Sequence, residues 1–205
     1  MSRAATAQRR EDNEIEFSRI VAFSDGVFAI AITLLVLNLS VPAHIHGKDL
    51  TDAIWDQRQT FIAYAVSFAV IGRFWVVHHR FFGDVTGFDG RLIGLNLFYL
   101  GWIVLIPLSS QVLGDHGSDT AAIVVYAVNL IGVTLVGAWM FADARRAGLV
   151  EMDPETERQN RRRGLITAAV FFASIPAAFI DPKIVPFLWL ALFLNPTGIR
   201  SRRRA

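Results

Sequence analysis

The stretch "RIVAFSDGVFAIAITLLVLNLSVP", residues 19–42, decides the fold, because from Gly26 onward nearly every side chain would dissolve in hydrocarbon. A run of about 20 apolar residues is long enough, as a helix, to cross roughly 30 Å of bilayer. Ser24 and Asp25 nevertheless stand in its first turns. A carboxylate near the bilayer centre costs roughly 2.5–3.5 kcal/mol even on lenient insertion scales, so Asp25 needs a partner or a task.

The rest of the chain extends this membrane pattern. Of its 205 residues 53% are hydrophobic and 19% charged, against about 25% charged in an ordinary soluble domain. Apolar runs at 20–39, 54–77, 92–112, 121–142, 164–180 and 184–194 predict an all-α, six-span transmembrane helical bundle. Pro107 lies near the far end of the third run, and "DPK" at 181–183 makes a tight turn before the short last one. The expected division is a cytoplasmic N-terminal segment at 1–19, one six-helix membrane domain at 20–198 and a basic cytoplasmic tail at 199–205. The opening motif has no second copy, so one domain without an internal repeat is expected. The polar start "MSRAATAQRREDNEIE" lacks the apolar core of a removable signal peptide.

Basic residues orient the bundle. With the N-terminus in the cytoplasm, sixteen of the twenty lysines and arginines fall on inner segments. Only Lys48, Arg58 and Lys183 fall outside, and Arg73 lies within a span. This asymmetry predicts a multi-pass protein of the cell membrane with both termini cytoplasmic. "PETERQNRRRG" at 154–164 reads as an inner loop facing lipid headgroups rather than nucleic acid.

Helical geometry separates two faces of the first span. With Ile30 at zero and about 100° per residue, Thr33 falls at about −60°, Leu34 at about +40° and Leu37 at about −20°, one stripe. On the same scale Asp25 falls at about −140° and Ser24 at about +120°, away from that stripe and toward neighbouring helices. Partners must lie at the same cytoplasmic depth. The second span ends there in "GRFWVVHHRFF", which offers Arg73, Trp75, His78, His79 and Arg80, and the third brings Asn96. A histidine or indole N–H donating to Asp25 would hold the first helix against the second. Only one of the two histidines, His79, shares the Trp75 face, four residues away.

These residues resemble the prokaryotic members of the endolysosomal potassium channel family, whose signature is an arginine, three residues, then Phe-Ser-Asp. Arg19, Phe23, Ser24 and Asp25 occupy every signature position. The resemblance implies a homotetramer of six-span chains in which four first helices line a central pore, without a "TVGYG" filter. It implies a constriction at Ile30, further apolar rings at Leu34 and Leu37, and a selectivity role for Thr33. Arg19, Phe23, Ser24 and Asp25 would belong to an interhelical network with Trp75, His78 and His79. The implied function is passive, leak-type conduction of potassium and other monovalent cations, with potassium as permeant ion, no cofactor and lipid as surroundings. A ring of isoleucines can bar hydrated ions by excluding water, which accounts physically for such a hydrophobic constriction.

Other chemistry is poorly supported. His44, His46, Asp49 and Asp52 in the outer loop have the ligand types of a metal site, but nothing fixes their geometry and a polar loop is the expectation. Asp181 and Asn195 read as turn or cap residues, and Asn129 as a hydrogen-bonding residue between spans. The chain has no cysteine, Walker motif, dinucleotide glycine turn, HExxH or nucleophile elbow, so an enzyme is not expected. The competing reading is a cation/proton secondary transporter using Asp25 and a histidine as proton carriers; it would require a broken helix near the midplane.

Overall fold

The computed structural model describes residues 3–40, 46–117 and 119–191. They form α1 (Arg3–Leu34), α2 (Lys48–Asp56), α3 (Arg58–Gly83), α4 (Gly90–Val104), α5 (Ile106–Asp115), α6 (Thr120–Arg146), α7 (Pro154–Ile180) and α8 (Val185–Ala191). A 3-10 turn over Leu35–Asn38 extends α1, and another over Pro182–Ile184 precedes α8. Among the described residues there is no β-strand, only an isolated antiparallel bridge between Val85 and Val150. The fold is all-α. Five helical stretches have the length and composition to cross a membrane: Glu14–Asn38, Arg58–Gly83, Gly90–Asp115, Thr120–Arg146 and Pro154–Ile180. The sixth expected span, 184–194, is described as far as Ala191, and the rest lies outside the described residues. Asn195 lies outside them too.

Several boundaries differ from the apolar runs, each for a local reason. Ile54 does not open the second span; it belongs to α2, and the chain breaks at Gln57 before α3 begins. The Gln57 side-chain amide donates to the Ser40 carbonyl, tying this break to the end of the first span. The third span starts at Gly90, where the Asp89 carboxylate accepts from the Leu92 amide at 2.7 Å and caps α4. It is interrupted at Leu105 because Pro107 lacks an N–H and its ring crowds the carbonyl of Ile103 one turn earlier. Asn38 donates to the Pro107 carbonyl at 3.2 Å, so the far end of the first span is anchored beside this interruption.

The expected inner loop at 154–164 is helical instead. Asp153 accepts from the amides of Glu155 and Thr156 at 3.1 and 2.9 Å, Pro154 supplies a pre-set backbone angle, and Glu155 and Glu157 meet the positive end of the helix dipole. Glu157 also pairs with Arg145 at 2.7 Å, joining α7 to the end of α6. A charge run with good capping chemistry therefore forms the first turns of α7, continuous with its apolar part.

Packing between spans rests on small residues and on a few hydrogen bonds, because lipid offers no hydrophobic drive for helices to associate. Gly132 on α6 receives the Trp102 ring of α4 so closely that a methyl group there would overlap it. Trp189 of α8 is fully buried, lies tilted against Tyr126 with ring centroids 4.7 Å apart and donates to the Ser174 hydroxyl at 3.1 Å, fixing α8 inside the bundle. At one end of the bundle Arg91 of α4 pairs with Asp143 of α6 at 2.8 Å, and the Thr86 amide donates to the Leu149 carbonyl at 2.9 Å, joining the α3–α4 and α6–α7 connections.

Candidate functional site

The two faces of α1 meet different surroundings. On the inner face Ser24, Phe28, Ala31 and Leu35 are buried against α3, α4 and α5. The outer face carries Ile30, Thr33, Leu34 and Leu37, all exposed, with Ile30 at 59% and Leu37 at 73% of full accessibility. Single exposed apolar residues are ordinary on a membrane helix. Here they lie in register on one stripe of the helix, whose opposite side is committed to the bundle.

The commitment is polar at the end of α1 that bears Ser24 and Asp25. Trp75 Nε1 donates to Asp25 Oδ1 at 2.8 Å, and the Trp75 ring lies 5.4 Å from that of His79. Beside this pair runs a buried chain. Asn96 Nδ2 donates to Ser24 Oγ at 2.9 Å, Asn96 Oδ1 lies 2.8 Å from His78 Nε2, and the Ser24 hydroxyl donates to the Ile20 carbonyl at 2.9 Å. With Asn96 oriented this way, its carbonyl oxygen can only accept, so His78 Nε2 is the donor. Phe28, Phe82 and Tyr99 surround the imidazole, with centroids 5.3, 4.6 and 5.5 Å away. The two systems pin α1 to α3 and α4 and leave Asp25 turned away from the exposed stripe.

Of the seven signature and network candidates, Ser24, Asp25, Trp75 and His78 meet in these contacts, and exposed His79 touches them through Trp75. Arg19 and Phe23 do not. Both are exposed on α1, Phe23 at 56%. Asn96 proves to be the link between Ser24 and His78; an asparagine inside the apolar run "LNLFYLGWIV" was its signal. The aromatic shell around His78 could not be read from spacing, since it is assembled from three helices.

Elsewhere, Asn129 Nδ2 donates to Ser109 Oγ at 3.3 Å, linking α6 to α5, while its Oδ1 has no hydrogen-bond partner among the described residues. His44 lies outside the described residues, His46 is exposed, and no group of three acidic or histidine side chains among the described residues could hold a metal. Asp181 ends α7 as its C-terminal cap.

A family model described as the endosomal/lysosomal potassium channel TMEM175 matches residues 19–107, which contain the whole network just described. A protein named as a potassium channel in Streptomyces collinus is 34% identical over 177 residues, covering 82% of this chain and 85% of that one. The chain belongs to the TMEM175 family. This is a family of membrane channels, not of enzymes, and the chain is a multi-pass membrane protein. The crystal structure of a lysosomal potassium-selective channel TMEM175 homolog from Chamaesiphon minutus superposes with a TM-score of 0.74 at 28% identity, covering 88% of this chain and 95% of that one. A chicken protein named endosomal/lysosomal proton channel TMEM175 is 38% identical over 112 residues, half of this chain and 22% of its own length.

Proposed function

We propose that this TMEM175-family chain is a passive, potassium-permeable cation channel of the cell membrane. Four copies assemble with their α1 helices around a central pore, and both termini lie in the cytoplasm. The unit that assembles is the membrane domain at 20–198, flanked by the short segments at 1–19 and 199–205. Permeant potassium needs no cofactor, and other monovalent cations pass less readily.

The observation that carries this reading is the division of α1. Its inner face is locked to α3 and α4 through Asp25–Trp75 and Ser24–Asn96–His78, while Ile30, Thr33, Leu34 and Leu37 remain uncovered in the single chain. A face arranged in this way suits contact across a symmetry axis. Apolar rings at Ile30, Leu34 and Leu37 would narrow the pore and resist wetting. Thr33 Oγ1 donates its proton to the Ile30 carbonyl at 2.9 Å, so its remaining lone pairs are available to a cation.

The deciding experiment is potassium flux through reconstituted liposomes carrying Ile30→Asn. A polar ring should wet the constriction and raise flux of potassium and of larger cations; flux and selectivity identical to the unaltered protein would refute the pore assignment. The exchanger reading makes a different demand. It requires Asp25 to reach water and release its proton, whereas Asp25 is held by Trp75 off the exposed stripe. Potassium flux that proceeds without proton counterflow separates the two.

A further inference from the structure

The signature residues that the network leaves out, Arg19 and Phe23, have a place of their own. α1 is one continuous helix from Arg3 to Leu34, so positions along it can be compared directly. Relative to Ile30, Phe23 falls at about +20° and Arg19 at about −20°, with a rise of about 16 Å between Arg19 and Ile30. Arg19, Phe23, Gly26, Ile30, Thr33 and Leu37 thus follow one another at alternating steps of four and three, and all six are exposed. That spacing is the seam by which parallel helices pack around a common axis. The depth is also defined. Phe17, two residues before Arg19, lies beside Phe82 at the end of α3 and stacks on Phe88 in the connection that follows, with ring centroids 6.1 and 6.0 Å away.

We infer that Arg19 is a conductance-determining residue that faces the cytoplasmic mouth of the conduction path, nearer the axis than Glu16 of a neighbouring copy, which offsets only part of its charge. The inference rests on the tetrameric pore proposed above. Four guanidinium groups around one axis would lower the local concentration of cations and slow their entry. Glu16, three residues earlier and exposed, falls at about +40° on the same scale, at the flank of the seam where adjacent copies meet. No ion pair joins Arg19 to an acidic group within the chain among the described residues, which leaves Glu16 and Arg19 complementary between copies. Such a ring acts on ions through water, so its effect depends on screening. The Debye length is about 30 Å at 0.01 M salt and about 3 Å at 1 M.

The chain contains no cysteine, which makes the test direct. Arg19→Cys is reconstituted in planar bilayers, and thiosulfonate reagents adding a positive or a negative charge are applied from the cytoplasmic side, with modification verified by mass spectrometry. Unitary potassium conductance at 10 mM salt should rise roughly two- to tenfold when the arginine is lost. It should fall again with the positive adduct, rise further with the negative one, and lose these differences at 1 M salt. Equal conductance with both adducts, in a protein whose Ile30→Asn form still shows raised flux, overturns the inference and leaves the pore reading standing. If Ile30→Asn is also silent, both fail. Should Arg19→Cys not assemble on size exclusion, Glu16→Cys carries the same test with the same order of adducts.

Discussion

The Trp75 indole donates to the Asp25 carboxylate at 2.8 Å, joining positions 50 residues apart, and this bond turns the acid of the first span away from its exposed stripe. Hydrogen bonds to a charged group contribute roughly 1.5–3 kcal/mol, and partial exposure of this pair places it at the low end. Trp75→Phe keeps an aromatic ring against His79 but removes the donor. The expected result is a lower melting temperature and loss of tetramer on detergent size exclusion before any change in ion selectivity. Asp25→Asn, which retains an acceptor, should be milder. A stable tetramer with altered selectivity in either variant would show that Asp25 contacts the permeant ion instead.

Asn96 occupies the centre of a buried polar chain, so its removal strands two partners at once. Asn96→Leu leaves His78 Nε2 without its acceptor and Ser24 Oγ without a donor, although Ser24 still bonds to Ile20. Each stranded buried group costs about 1–3 kcal/mol. Thermal unfolding should therefore show a larger loss than for Trp75→Phe. A loss equal to or smaller than that of Trp75→Phe would mean that the chain stabilises α1 little.

Thr33 separates hydroxyl chemistry from shape. Thr33→Val preserves the branched side chain and removes the oxygen whose proton is committed to Ile30. Potassium-over-sodium preference, measured from reversal potentials, should fall in Thr33→Val and persist in Thr33→Ser. Equal preference in all three proteins would move selectivity to the apolar rings or to the backbone.

Asp153 makes the start of α7 sensitive to acid. Hydrogen bonds from Thr156, through its side chain first and then its amide, hold the Asp153 carboxyl below the usual carboxylate range. A lowered folded-state pKa means that the capping contribution is fully present above the unfolded value, about 3.9, and is lost as pH falls through the folded one. Exchange of the Glu155 and Thr156 amides should therefore be protected at neutral pH and in Asp153→Asn, lost in Asp153→Ala at any pH, and lost in the unaltered protein only in strong acid. Exchange independent of pH and of these substitutions would place the protection elsewhere.

How much of this was legible beforehand follows from the range of the forces involved. Apolar runs reveal membrane helices because every backbone group in hydrocarbon must be satisfied within its own helix, a constraint that one stretch of sequence carries alone. Helical pitch is equally local, so the spacing of Ser24, Asp25, Ile30 and Leu37 already separated two faces of α1. Capping at Asp89 and Asp153 used signals present in the sequence, and the helical reading of 154–164 was available from "DPETE" had the arginines not dominated it. Which side chain would answer Asp25 was open among Arg73, Trp75, His78, His79, Arg80 and Asn96, since all lie toward one end of their spans.

The sequence by itself determined that this chain spans the membrane in several helices, with an acid at the start of the first and an apolar stripe on a separate face. The tertiary structure alone decided that Trp75 takes Asp25 while His78 takes Asn96, and that Arg19 and Phe23 stay on the uncovered face. The physical reason is that a hydrogen bond forms within about 3 Å and over a narrow range of angles. The pitch of one helix cannot specify such a distance to another; the close approach of α1, α3 and α4 does.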